Sequence, residues 1–195
     1  KVHVKPNFVT LDAGAAAPAA PDSRRIVFVG LVSALKGVDL LVEASASTPA
    51  AHRLVIVGDG PLRESLQTRF ASASHISFLG KVDRDEARRQ MSAGSWMVLP
   101  SRWYEGFPVV VLEAMAAGRP VIVPDHGPFP AMVTPGENAL LFRPDDADSL
   151  RNALERALSM GAEEWERFSR SARALCRDRY SVEANYRQIM QIYDD

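Results

Sequence analysis

Two carboxylates, Glu105 and Glu113, frame the stretch Glu105-Gly-Phe-Pro-Val-Val-Val-Leu-Glu113-Ala-Met-Ala-Ala-Gly118-Arg-Pro120. Pro108 suits a first helical position, where its missing N–H would have no intrahelical partner. From Val109 to Ala117 only Glu113 is polar, which predicts a helix buried on nearly all sides. A carboxylate in such a helix is costly unless it is paired. Its neighbourhood is a helix N-terminus, whose free N–H groups attract anions. The combination points to a site for a phosphate together with a polyhydroxyl group. Just upstream, Trp103 and Tyr104 offer aromatic faces to a hydroxylated ring; the alternative is that they only pack the loop.

Other segments carry weaker signals. Lys36, in Gly30-Leu-Val-Ser-Ala-Leu-Lys36-Gly37, could reach a phosphate as a flexible point charge, or could be a solvated lysine before a helix. Gly58-Asp59-Gly60-Pro61-Leu62 begins like a dinucleotide fingerprint, but Arg63 occupies the third glycine position. Asp83-Arg-Asp85 imitates a metal-binding Asp-x-Asp, yet Asp83 followed by Glu86 makes a helix capping box, and the capping reading is preferred. Asp146-Ala-Asp148 is read the same way. His126 has no sequence-local partner and is taken as a turn histidine. Hydrolase elbows, zinc-peptidase helices and Walker loops are missing from the sequence.

The elements that must position these residues follow a βα rhythm. Short apolar runs at residues 26–29, 54–57, 76–79, 96–99 and 121–123 predict strands, with helical patterns at 38–46, 62–71, 85–91 and 109–117. Continuous apolar strands alternating with helices indicate an α/β, doubly wound parallel sheet covered on both faces. The C-terminal third is helical, at 148–160, 163–179 and 182–193, and in the last of these Val182, Tyr186, Ile189, Met190 and Tyr193 form one apolar stripe. At the other end, residues 2–5 read as a short strand and the Ala- and Pro-rich stretch 12–23 as a linker. The expected organisation is therefore 1–24 as strand plus linker, and 25–195 as one Rossmann-like domain with C-terminal helices. In such sheets ligands bind at the carboxyl ends of the strands, where the segments 30–37, 58–62, 80–86, 100–107 and 124–130 fall.

A chain of 195 residues with 47% apolar and 24% charged residues can bury one substantial core. Its net charge of −1 gives no global attraction to nucleic acid or an anionic membrane. The one cysteine, Cys176, excludes an internal disulfide and a cysteine-built zinc site, and reads as a buried, inert thiol. No apolar run approaches the ~18 residues of a membrane span. Beginning Lys-Val-His-Val-Lys-Pro without an initiator Met, the sequence reads as an excised domain.

Taken in order, these segments resemble the C-terminal, nucleotide-sugar-binding domain of GT-B-fold retaining glycosyltransferases (glycosyl transferases group 1, family 4). The resemblance spans Pro6-Asn7, Phe28-Val-Gly30 with Lys36-Gly37, Val55-Ile-Val-Gly-Asp-Gly-Pro-Leu62, Phe78-Leu-Gly80, Leu99-Pro-Ser101, Tyr104-Glu-Gly-Phe107, Glu113-Ala-Met, Gly118-Arg-Pro-Val-Ile122 and Glu137-Asn-Ala-Leu-Leu-Phe142. Each piece is weak alone; their order and spacing are specific, and the Glu-x₇-Glu pair is the hallmark.

The resemblance implies that Glu113 accepts hydrogen bonds from ribose hydroxyls, each worth ~1.5–3 kcal/mol for a charged acceptor. It implies that Glu105 faces the donor sugar and is the catalytic candidate in this chain. Backbone groups at Gly106, Phe107, Val109 and Val110 would hold the diphosphate, with Lys36 as countercharge and Gly30 beside it. Backbone atoms from Gly80 to Val82 would cradle the base. Two positions depart from the family pattern. Leu31 stands where many relatives have a diphosphate-binding arginine, a role for which Arg102 is the substitute considered, and Ala131 replaces a glutamate.

The same resemblance implies a hexosyl-type retaining transfer from a nucleotide-diphosphate sugar, such as a UDP- or GDP-sugar, to an acceptor hydroxyl in polysaccharide or glycolipid synthesis. It implies no required metal or other cofactor and no bound nucleic acid. The acceptor-binding N-terminal domain is absent from this chain, which predicts an inactive isolated half. The implied location is cytoplasmic, with peripheral contact at the inner membrane face through the missing domain. Two rival readings stay open: a non-catalytic nucleotide-sugar-binding module, favoured by Leu31, and a dinucleotide-binding oxidoreductase domain, disfavoured by Arg63.

Overall fold

A computed structural model describes residues 5–10, 22–49 and 51–194. The expected strand at 2–5 falls mostly on residues outside this set, and Lys5 itself is not in a strand. Most of the expected linker also lies outside it, but Asp22 and Ser23 already belong to the first strand.

In chain order the elements are β1 (Asp22–Val29), α1 (Val38–Ser47), β2 (Arg53–Val57), α2 (Arg63–Arg69), β3 (Ile76–Gly80), α3 (Arg84–Ala93) and β4 (Gly94–Val98). They continue with α4 (Val109–Ala116), β5 (Val121–Pro124), α5 (Phe129–Met132), β6 (Ala139–Phe142), α6 (Ala147–Leu158), α7 (Ala162–Tyr180) and α8 (Val182–Asp194). The five expected strands are present. The sixth, β6, and the single-turn helix α5 are additions to the expected set; four residues of apolar sequence are too short to carry a decisive period.

All six strands form one sheet in the order β3-β2-β1-β4-β5-β6, and every neighbouring pair is parallel. Alternate residues of the central strands feed two cores. Ile26 and Phe28 of β1 join Leu54 and Ile56 of β2 in the large core with α1, α4, α6 and α7. Val27, Val55 and Val57 point to the opposite face, where Ala87 of α3 and Val82 pack on them. Both faces are therefore covered, which is why the strands are apolar throughout rather than alternating. Behind α4 packs α7, where Cys176 is fully buried.

The strand order reverses between β1 and β4. At such a switch point the loops after the two strands diverge and leave a crevice. In this chain those loops are 30–37 and 99–108, which carry Lys36 and Glu105.

Candidate functional site

The two loops are locked together before any ligand is considered. Backbone N–H groups of Arg102 and Trp103 donate to the Leu35 carbonyl at 2.9 and 3.2 Å. Gly37 adopts φ +67°, and a Cβ there would come within 2.0 Å of the Pro100 carbonyl oxygen, so only glycine allows this approach. The neighbouring loop joins them: Gly30 N–H donates to Val57 O at 3.0 Å, and Val32 N–H to Asp59 O at 2.9 Å.

This bracing brings Lys36 Nζ to 2.5 Å from Glu105 Oε1. The same oxygen accepts a hydrogen bond of 2.7 Å from Ser101 Oγ. Glu105 keeps only 11% of its side-chain surface exposed, so its charge is compensated by an ammonium and a hydroxyl rather than by bulk water. Across the site, Glu113 is paired with Arg84, Nη2 to Oε1 at 3.2 Å. Arg84 is 73% exposed and Glu113 22%, which makes this the looser of the two pairs.

Between the glutamates lies the start of α4. No side chain caps this helix, whereas Asp83 caps α3 through Glu86 N–H and Asp146 caps α6 through Ser149 N–H. Those two Asp residues thus act as the capping reading expected. The first N–H to close back on α4 is that of Val111, onto Pro108 O at 3.1 Å, and the N–H groups of Val109 and Val110 precede it. Val109 is 41% exposed and Val110 half-buried, a departure from the expectation of burial on nearly all sides. The inward face, with Val111, Leu112, Ala114 and Met115, is buried as expected; the N-terminal turn opens into the crevice, and Glu113 lies on its half-exposed side.

Gly106 is exposed, with nothing within 4 Å of the place a Cβ would occupy, and Phe107 is half-buried, its ring set edge-on to Tyr180 at 5.6 Å. The Phe107 carbonyl accepts from Asn7 Nδ2 at 3.0 Å, so a residue from the start of the chain braces the Glu105 loop. Pro6-Asn7 is visible in the sequence as part of a motif; its partner 100 residues away cannot be read there. Gly80 adopts φ +74° with the Arg63 guanidinium lying against it, and Val82 is half-buried on the smaller core. Trp103 and Tyr104 are 56% and 75% exposed beside Glu105, and most of Tyr104 stays open although its ring packs on His126 at 5.1 Å between centroids.

Arg102 is placed differently from a free diphosphate-binding cation. Its Nη1 donates to Asp39 Oδ1 at 2.6 Å and to Ala34 O at 2.9 Å, while Nε donates to Asp145 Oδ1 at 2.6 Å. Burial pulls its pKa down, but the bonds to Asp39 and Asp145 outweigh this and hold it above the ordinary arginine value. Arg102 therefore ties the 30–37 loop to α1 and to the loop before α6. Leu31, at the position of the usual arginine, is 54% exposed.

An open parallel sheet with a switch-point crevice, an uncapped helix N-terminus and two cation-held carboxylates defines a doubly wound α/β domain with an anion-attracting crevice. The family described as Glycosyl transferases group 1 matches residues 23–160, and the chain belongs to that family. It is 31% identical over 179 residues to the alpha-D-kanosaminyltransferase of Streptomyces kanamyceticus, covering 88% of this chain and 46% of that protein. It is 29% identical to the phosphatidyl-myo-inositol mannosyltransferase of Mycobacterium leprae, covering 97% and 52%. Among solved structures, sucrose-phosphate synthase from Thermosynechococcus elongatus superposes with a TM-score of 0.78 at 31% identity, covering 89% of this chain and 45% of that one. Anabaena HepE, solved in complex with UDP, shares the fold with a TM-score of 0.77 at 24% identity, covering 88% and 48%. The chain thus spans about half the length of these relatives. Among the described residues no helix is long and apolar enough to cross a membrane.

Proposed function

We propose that this chain is the donor-binding half of a retaining, metal-independent glycosyltransferase that moves a hexose from a nucleotide-diphosphate sugar to an acceptor hydroxyl. The observation that carries the reading is the uncapped N-terminus of α4 between Glu105 and Glu113, each carboxylate held by a cation, Lys36 from the 30–37 loop and Arg84 from the start of α3. Glu113 exchanges Arg84 for the ribose hydroxyls. The diphosphate takes the N–H groups of Phe107, Val109 and Val110, and Lys36 turns from Glu105 toward the phosphates. Glu105, released from Lys36, accepts hydrogen bonds from the donor sugar, and the base lies against the backbone from Gly80 to Val82.

In the reaction, the bond from the anomeric carbon to the diphosphate oxygen breaks and a bond to the acceptor oxygen forms on the same face. The acceptor proton passes to the leaving diphosphate. Lys36 and the helix N-terminus stabilise the negative charge that grows on that leaving group. The acceptor is held by an N-terminal domain outside this chain, so the isolated half binds donor without turning it over. The whole enzyme works in the cytoplasm, with any membrane contact made through that other domain.

Calorimetric titration with UDP, GDP, ADP and NAD tests the reading. Binding of a nucleoside diphosphate is expected; tight NAD binding with no nucleoside-diphosphate binding would overturn it in favour of a dinucleotide domain.

A further inference from the structure

His126, in the loop after β5, lies behind the Glu105 loop and is connected to it by two hydrogen bonds in series. Its Nε2 is 2.9 Å from the Ser101 carbonyl oxygen. A carbonyl only accepts, so Nε2 carries the proton and donates. Nδ1 is buried and has no hydrogen-bond partner. The ring is gripped from two sides, by Tyr104 at 5.1 Å and by the fully buried Phe129 at 6.0 Å between centroids. Ser101, 1% exposed, is consequently fixed at its carbonyl, while its hydroxyl accepts from Trp103 N–H at 3.3 Å and donates to Glu105 Oε1 at 2.7 Å.

We infer that His126 is a positioning residue for Glu105: it anchors Ser101, whose hydroxyl aims the Glu105 carboxylate at the donor sugar. This rests on the donor-binding reading above. The Ser101 bond is the part of Glu105's support that survives when Lys36 leaves for the diphosphate. Without it, a loop carboxylate that has lost its ammonium partner would have several rotamers to choose from, and ordering one of them on binding lowers affinity. The role is confined to the sugar, since the hydrogen bond and ring contacts of His126 run to Ser101, Tyr104 and Phe129, on the Glu105 side of the site.

The readout is the sugar increment, the ratio of dissociation constants for UDP and UDP-glucose, or for GDP and GDP-mannose, whichever pair the chain binds more tightly. Replacing His126 by Ala (His126→Ala) is expected to shrink this increment about tenfold while the nucleoside-diphosphate constant stays within about twofold. His126→Gln, whose side-chain amide can donate to the Ser101 carbonyl, is expected to restore most of it and keeps the test readable if the alanine variant fails to fold. Equal losses for both ligands, no loss, a Gln variant as poor as Ala, or a wild-type increment of one would each overturn the inference. Failure of the wild-type chain to bind either diphosphate would instead overturn the donor-binding reading, and the inference with it.

Discussion

Lys36 Nζ and Glu105 Oε1, 69 residues apart in sequence, meet at 2.5 Å across the point where the strand order reverses. The pair links the loop after β1 to the loop after β4, so it is both a structural clasp and the place where a phosphate would compete for the lysine. Lys36→Ala leaves a nearly buried carboxylate with Ser101 as its remaining donor. The expected loss of stability is about 1–2 kcal/mol in chemical denaturation. Lys36→Ala combined with Glu105→Ala should lose less than the sum of the single changes, because the unpaired charge is gone. Strict additivity would show that the two side chains are not coupled.

Arg102 spends its guanidinium on Asp39, Asp145 and the Ala34 carbonyl. Both Arg102→Ala and Arg102→Lys should therefore destabilise the fold, by about 1–2 kcal/mol, since an ammonium cannot reproduce the fork of contacts. Nucleoside-diphosphate affinity, measured well below the melting transition, should change by no more than about threefold. A much larger loss of affinity with intact stability would make Arg102 a diphosphate ligand after all.

Cys176 is fully buried against α4, and burial pushes its thiol up to about 12 from an ordinary 9.0. An acid whose folded-state pKa is raised lends stability that is complete below the unfolded value and disappears as pH rises through the folded one. Stability should thus fall between about pH 9 and pH 12, and this part of the slope should vanish in Cys176→Ala. Parallel pH–stability curves for the two proteins would contradict the burial effect. In the native protein the thiol should also resist a disulfide reagent that reacts promptly after unfolding.

Arg119 is 2% exposed at the N-terminal end of β5, with Nε and Nη1 unpartnered and its guanidinium over the Trp165 ring at 5.6 Å. Burial, with Arg173 nearby, lowers its pKa to about 10. Replacing such a charge by a flexible apolar side chain is commonly neutral or stabilising. Arg119→Met should accordingly keep or raise the melting temperature; a loss above about 1 kcal/mol would mean that the stacking on Trp165 outweighs the unmet hydrogen bonds.

Much of the frame is written locally. The apolar runs that became β2, β4 and β5 are buried from end to end, and that of β1 up to a partly buried Val29, so composition alone marks them as interior parallel strands. Asp83 and Asp146 act as the helix caps that their spacing from Glu86 and from Ser149 allows, because capping is decided within three residues. The site is different. Glu105 and Glu113 are conspicuous in sequence, but Lys36 and Arg84, the cations that hold them, arrive through the sheet topology, and Ser101, four residues from Glu105, carries no sign of its bond. Asn7 on the Phe107 carbonyl and His126 on the Ser101 carbonyl are contacts to backbone, which leave no residue-type signature at the receiving end. The exposure of Val109 was hidden for a related reason: hydropathy registers an apolar helix, and only the crevice shows which turn is left open.

The central claim is that Glu113 reads the ribose of a nucleoside diphosphate seated on the α4 N-terminus. Titration of wild type and Glu113→Ala with the diphosphate that binds wild type more tightly, UDP or GDP, tests it most directly. Loss of hydrogen bonds to a charged acceptor predicts weaker binding by about 1–3 kcal/mol, on the order of 5- to 150-fold in the dissociation constant. An unchanged constant would contradict the account.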